Sequence, residues 1–179
     1  MLYPQESESR EIKDLSGIWR FRADKDSCGR RDSWFAAPLR ETIPMPVPCS
    51  YNDITQDASI RDHLGEVWYE TSFFVPSSWK GKRVCLRFAS ADHAATAWVN
   101  GREIVSHKGG FLPFAAIIMA AVARREAAVL MDRDRQHIAA IIEDALRAIA
   151  VVHVPIDHRD FAEAVLRLGR IDGDGNVGE

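Results

Sequence analysis

Apolar and polar residues alternate along the first part of the chain with the period of two that gives a strand one buried and one wet face. Runs of this kind, or short apolar bursts, cover residues 18–22, 67–75, 84–89, 95–99 and 102–107, and turn-forming residues bound each of them. Asn100-Gly101 separates the last two runs. A type I′ turn needs two residues with positive φ, which Asn-Gly tolerates best, so residues 96–105 are predicted to form a β-hairpin. Pro44, Pro46 and Pro48 exclude a helix or a central strand and predict an extended surface segment. Short strands at close spacing predict a mainly β, antiparallel sandwich.

Beyond residue 115 the period changes. Ile138, Ile141, Ile142, Ala145, Leu146 and Ile149 recur at intervals of three and four and predict an amphipathic helix over residues 134–150. Residues 151–156 read as a short strand. Asp157 stands as an N-cap ahead of Phe161, Ala164, Val165 and Leu168, with Gly169 as the stop of a second helix. Residues 171–179, rich in Gly and Asp, are expected to fray.

Composition sharpens this division. All five tryptophans, all three tyrosines and every lysine precede residue 110, whereas residues 115–150 are about one-third alanine, a helix-forming composition. The expected organisation is a β-sandwich over residues 1–115 and an Ala/Arg-rich helical tail of unknown family over residues 116–179. At 179 residues the chain is long enough to fold as one domain without disulfide staples.

Charge narrows the classes of partner. The formal net charge is −3, with 27% charged and 46% hydrophobic residues, so nothing in the balance attracts nucleic acid. Cys28, Cys49 and Cys85 match neither a disulfide framework nor a zinc site and are expected to be reduced. The opening residues carry Glu6 and Glu8 instead of a basic and then apolar leader, and Pro113, Arg124, Arg125 and Glu126 break the apolar stretch over 111–131. A cytoplasmic protein with no membrane partner is expected.

Candidate chemistry is sparse. Glu126, Glu143 and Glu163 lie in helical patterns that predict solvated faces. His137, His153 and His158 lack the i, i+4 spacing that aims two imidazoles at one metal. Asp172-Gly173-Asp174-Gly175-Asn176 opens like a calcium loop, but Val177 stands where that loop needs Gly. No catalytic residue, metal ligand set or cofactor is expected, and no substrate-binding residue is assigned.

A set of blocks in fixed order supplies what patterning does not. Asp14-Leu15-Ser16-Gly17-Ile18-Trp19-Arg20-Phe21, Val47-Pro48-Cys49-Ser50-Tyr51-Asn52-Asp53 and Gly65-Glu66-Val67-Trp68-Tyr69-Glu70 resemble the opening of bacterial β-glucuronidases of glycoside hydrolase family 2. Val84-Cys85-Leu86-Arg87-Phe88, Ala97-Trp98-Val99-Asn100-Gly101 and His107-Lys108-Gly109-Gly110-Phe111-Leu112-Pro113-Phe114 extend the resemblance over residues 2–115. It implies a jelly-roll domain of the galactose-binding type and a glucuronide or other glycan as partner. In the family the two catalytic glutamates lie on a (β/α)₈ barrel, and nothing in this sequence matches their motifs.

The resemblance also implies closing strands after Phe114 that the sequence does not display, so the sandwich is expected to be incomplete and to self-associate through uncovered surface. The functional expectation is a truncated or remodelled amino-terminal domain of a β-glucuronidase-like hydrolase, not catalytic alone. A stand-alone carbohydrate-binding or protein-interaction module that uses the helical tail is the alternative. Within the blocks, the tryptophans are expected to fill the core, and Tyr51-Asn52-Asp53 to satisfy its own turn.

Overall fold

The alternation seen in the sequence becomes two antiparallel sheets in the computed structural model, which describes residues 5–91, 93–110, 112–122, 145–155 and 166–171. The larger sheet contains β2 (Gly17–Asp24), β3 (Ile43–Val47), β4 (Glu66–Pro76), β6 (Ala94–Val99), β7 (Arg102–Lys108) and β9 (Ala145–Pro155), in the order β3-β2-β4-β9-β6-β7. The smaller contains β1 (Arg10–Asp14), β5 (Arg83–Phe88), β8 (Phe114–Ile117) and β10 (Leu166–Ile171), in the order β1-β10-β5-β8. Two single-turn helices, α1 (Tyr51–Ile54) and α2 (Ala58–Arg61), sit between β3 and β4. No helix among the described residues is long and apolar enough to cross a membrane.

Inward positions follow the pleat. Trp19 and Phe21 of β2, Val67, Tyr69, Phe73 and Val75 of β4, Val84, Leu86 and Phe88 of β5, and Ala95, Ala97 and Val99 of β6 form one buried cluster. Phe21 meets Tyr69 edge-on at 5.0 Å between ring centroids, and Phe88 stacks on Phe114 at 4.6 Å. Of the five tryptophans, Trp19, Trp68, Trp79 and Trp98 are buried, as their core-filling role requires.

The hairpin forms as expected. Asn100 and Gly101 both have positive φ, 51° and 78°, between β6 and β7, and the Asn100 amide donates to the carbonyl of Ala121 at 3.0 Å. The proline segment becomes β3, an edge strand and not a central one. Pro44 and Pro46 are exposed while Met45 and Val47 between them are buried. These prolines pair with Arg20 and Ile18, alternate positions of an antiparallel ladder, so their missing N–H groups face the open edge.

The tail departs from its expected helices wherever it is described. Residues 134–144 and 157–165 lie outside the described residues, but Ala145–Pro155 is strand β9 and Leu166–Ile171 is strand β10. The predicted helix over 134–150 is thus replaced by strand from Ala145 on, and the second predicted helix by strand from Leu166 on, with Gly169 inside the ladder. β9 pairs with β4 over eleven residues, Glu66↔Pro155 to Pro76↔Ala145, and with β6 from Thr96↔His153 to Val99↔Ala150. β10 lies between β1 and β5.

The cause is tertiary. A strand covered on both faces reads as a continuous apolar run, which a sequence pattern cannot separate from a helix. Ladder bonds on two sides then outweigh alanine's helical preference. Ala150 and Val152 enter the inner core while Val151 faces outward. Strands from both sides of residue 115 share both sheets, with β9 between β4 and β6 and β10 between β1 and β5, so strands that the sequence does not display after Phe114 are present in the interior of each sheet.

Candidate functional site

The outer face of the larger sheet is covered at one end by the segment 25–42, which carries no strand pattern. Trp68 and Trp98 point outward from β4 and β6, yet are 0% and 3% exposed. Phe35 stacks on Trp98 at 4.9 Å, Trp98 on Trp68 at 5.6 Å, and Trp34 leans on Trp68 at 5.8 Å. Leu39 and Val151 complete this second, smaller core.

Two buried carboxylates fasten the cover to the sheet. Asp24, at the end of β2, accepts from the backbone N–H groups of Cys28 at 2.9 Å and Gly29 at 2.7 Å and from the Trp68 indole at 3.1 Å. Burial raises its carboxyl, but these donors together outweigh it, and the group is held below the ordinary value of 3.8. Gly29 must be glycine, because a Cβ there would lie 2.5 Å from the Trp68 indole nitrogen and 2.8 Å from the Asp24 carboxylate. Glu70, on β4, pairs with Arg20 at 2.5 Å and accepts from the Leu39 N–H at 2.8 Å, while Arg20 also donates to the Leu39 carbonyl.

Beside this clamp a cleft of about 300 Å³ opens between the end of β2, the start of β3, the cover and α2. Arg22 is its organising cation. Its guanidinium carbon lies 3.7 Å from the centroid of the Trp34 ring, and it pairs with Glu41 at 3.0 Å and donates to the Arg40 carbonyl at 3.3 Å. Phe21, Ile43 and Ile60 supply apolar wall, and Lys25 and Ser59 stand at the lining. The charged and polar side chains Arg22, Asp24, Lys25, Asp26, Glu41 and Ser59 thus share the lining with that apolar wall.

The adjoining Tyr51-Asn52-Asp53 turn is structural at two of its three positions. Tyr51 is buried and its hydroxyl donates to the His63 carbonyl at 2.8 Å; Asn52 donates to the Arg61 carbonyl at 2.6 Å. Burial raises the Tyr51 and Tyr69 hydroxyls above their ordinary value, so both stay protonated. All three cysteines are free. Desolvation, followed by the hydrogen bond with Asp32, pushes the Cys28 thiol up and keeps it protonated.

Glu126, Glu143 and Glu163 lie outside the described residues, as do His137, His158 and the Asp172–Asn176 run. His153 falls on β9. Sequence reading missed Arg22, Trp34 and Glu41, which come from β2 and an unpatterned loop. The only signal available was two aromatics, Trp34 and Phe35, in a polar stretch with no strand to bury them.

The chain is a two-layer antiparallel β-sandwich with a covered outer face and a polar-rimmed cleft. The sugar-binding domain of the glycosyl hydrolases of family 2 matches residues 12–145, and the chain belongs to that family. It is similar to a β-glucuronidase of Paenibacillus borealis, with 62% identity over 127 residues that make up 70% of this chain and 21% of the relative. A β-glucuronidase of Sus scrofa is 50% identical over 127 residues, 66% of this chain and 20% of its own.

Among solved structures, a β-glucuronidase from an uncultured Clostridium superposes with a TM-score of 0.74 and 36% identity over 96% of this chain and 30% of its own. The β-glucuronidase of Ruminococcus gnavus does so with a TM-score of 0.74 and 26% identity over 95% of this chain and 30% of its own. The chain therefore spans about a fifth of the length of the curated relatives it matches. It is an N-terminal domain of the β-glucuronidase-like kind.

Proposed function

We propose that this domain holds and orients a glycan for a β-glucuronidase-like hydrolase and does not itself break the glycosidic bond. One observation carries the reading: the buried carboxylates among the described residues, Asp24 and Glu70, are consumed by structural donors. A retaining glycosidase needs two carboxyl groups about 5–5.5 Å apart, one protonated and one ionised, both free to meet the sugar. A carboxylate held low by three N–H donors cannot serve as the acid, and one locked to an arginine and a backbone amide is spent on the fold. The family match to a sugar-binding domain supports the glycan as ligand.

A chromogenic β-glucuronide incubated with the purified chain is the test. No release of chromophore, together with saturable sugar binding in a calorimeter, is expected; turnover that survives purification would overturn the non-catalytic part. A stand-alone binding module is the second reading, favoured by the way β9 and β10 supply interior strands to both sheets. The version that used a helical stripe loses Ala145, Leu146 and Ile149 to β9.

Self-association belongs to the same proposal. Ile18 is 69% exposed and Phe74 44% exposed on the outer face of the larger sheet, beyond the cover. Concentration-dependent elution on size exclusion supports it, and a monomer at every concentration removes it.

A further inference from the structure

Edge strands are where a sheet meets other chains, and β1 is one of them. Its strand partner among the described residues is β10, on one side only. At Arg10 both backbone groups turn to the other side, where Ser7 meets them at 3.0 and 3.1 Å. By the alternation of an antiparallel ladder, the N–H and C=O of Ile12 and Asp14 turn the same way.

The side chains along this edge run Arg10-Glu11-Ile12-Lys13-Asp14, an order that is its own charge complement when reversed. Laid antiparallel on a second copy about Ile12, Arg10 faces Asp14, Glu11 faces Lys13 and Ile12 faces itself. Opposite charges directly across a ladder attract, and like charges repel. Neighbouring registers fail on that ground. A two-fold axis at Glu11 sets carboxylate on carboxylate, one at Lys13 sets ammonium on ammonium, and parallel pairing in register sets like on like throughout. The other edges carry no such order: β3 lacks N–H groups at Pro44 and Pro46, β8 is uncharged, and β7 reversed about Val105 would set Arg102 against Lys108.

The fold holds these charges in place. Glu11 accepts from the Trp79 indole at 2.5 Å and Lys13 donates to the Phe74 carbonyl at 3.0 Å, both from one face of β1. Arg10, Ile12 and Asp14 stand on the other face, with Asp14 accepting from the Ser16 N–H at 2.8 Å. We propose that two copies of this chain join through β1, antiparallel about a two-fold axis at Ile12, so that their four-stranded sheets become one continuous sheet. The two Ile12 residues exchange N–H and C=O bonds, and Asp14 of each copy takes the place of Ser7 on the Arg10 backbone of the other. The same patch serves both copies, so the contact closes at two. It is independent of the glycan-holding reading and lies on the other sheet from Ile18 and Phe74.

Sedimentation equilibrium of the full chain and its variants tests the pairing. A reversible monomer–dimer equilibrium without larger species is expected. Glu11→Lys sets lysine against Lys13, and Lys13→Glu sets glutamate against Glu11, each twice per dimer, so either variant alone should associate about ten-fold more weakly or worse. Mixed one to one, the two variants complement each other, and the mixture should recover to within about three-fold of the unaltered chain. Damage to the fold would not be repaired by mixing. Should either variant fail to fold, Arg10→Asp and Asp14→Arg form an equivalent pair on the other face. Association unmoved by the single variants, or a mixture as weak as they are, overturns the pairing. Association lost in Phe74→Ser and in none of the charge variants assigns it to the larger sheet instead, and a monomer at every concentration overturns both surfaces.

Discussion

At the scale of single residues, the two buried carboxylates among the described residues hold a cover on tryptophans that would otherwise face water. Removing the Asp24 carboxylate takes the shared acceptor from the Cys28 and Gly29 backbone N–H groups and the Trp68 indole, so Asp24→Ala should lose about 2–4 kcal/mol in urea unfolding. Because its carboxyl is lowered in the folded state, the stabilisation is present above the ordinary 3.8 and is lost as pH falls through the folded value. The midpoint should hold steady from about pH 7 to 5 and drop below about pH 4, and Asp24→Asn should flatten that part of the profile.

Gly29→Ala tests the same contact by sterics. The new methyl meets the buried Trp68 ring and the Asp24 carboxylate, so the cover must shift, at a cost of about 1–3 kcal/mol and with quenching of tryptophan fluorescence altered. Neither residue announces this in the sequence. A lone aspartate at a strand end and a glycine in a polar loop are ordinary turn chemistry, and the indole that makes them special arrives from 44 residues away.

At the scale of elements, what was legible was what is local. The β6–β7 hairpin follows from Asn100-Gly101 alone, and the inward sets of β2, β4 and β5 follow from alternation that the pleat preserves. β9 was legible only within residues 151–156, because the apolar spacing over 138–149 satisfies a helix equally well. Its strand conformation depends on two partners, β4 and β6, that no sequence window contains.

Substitution at Val152, 2% exposed in the inner core, tests whether β9 lies between β4 and β6. A carboxylate there is buried between the sheets, so Val152→Asp should remove about 3 kcal/mol or more and abolish the cooperative transition of a marginal domain. Phe74→Ser, on the open outer face, should change stability by less than about 1 kcal/mol. Equal tolerance of both would mean that β9 is not a central strand.

At the scale of the whole molecule, the fold places the buried carboxylates of the described residues, Asp24 and Glu70, where they serve architecture. The fold class and the family were readable from ordered blocks up to Phe114, because those blocks combine core spacing with turn chemistry. The cleft was not, since Arg22, Trp34 and Glu41 meet only when β2, the cover and the start of β3 are assembled.

Saturation-transfer difference NMR on a mixture of the purified chain and a simple aryl β-glucuronide reads both halves of the proposed function, a glycan held and its bond left intact, in one tube. Transfer to the sugar protons, with the anomeric resonance of the glucuronide undiminished over a day, is the predicted result. Loss of that resonance with appearance of free glucuronic acid, or an absence of any transfer to the sugar, would contradict it.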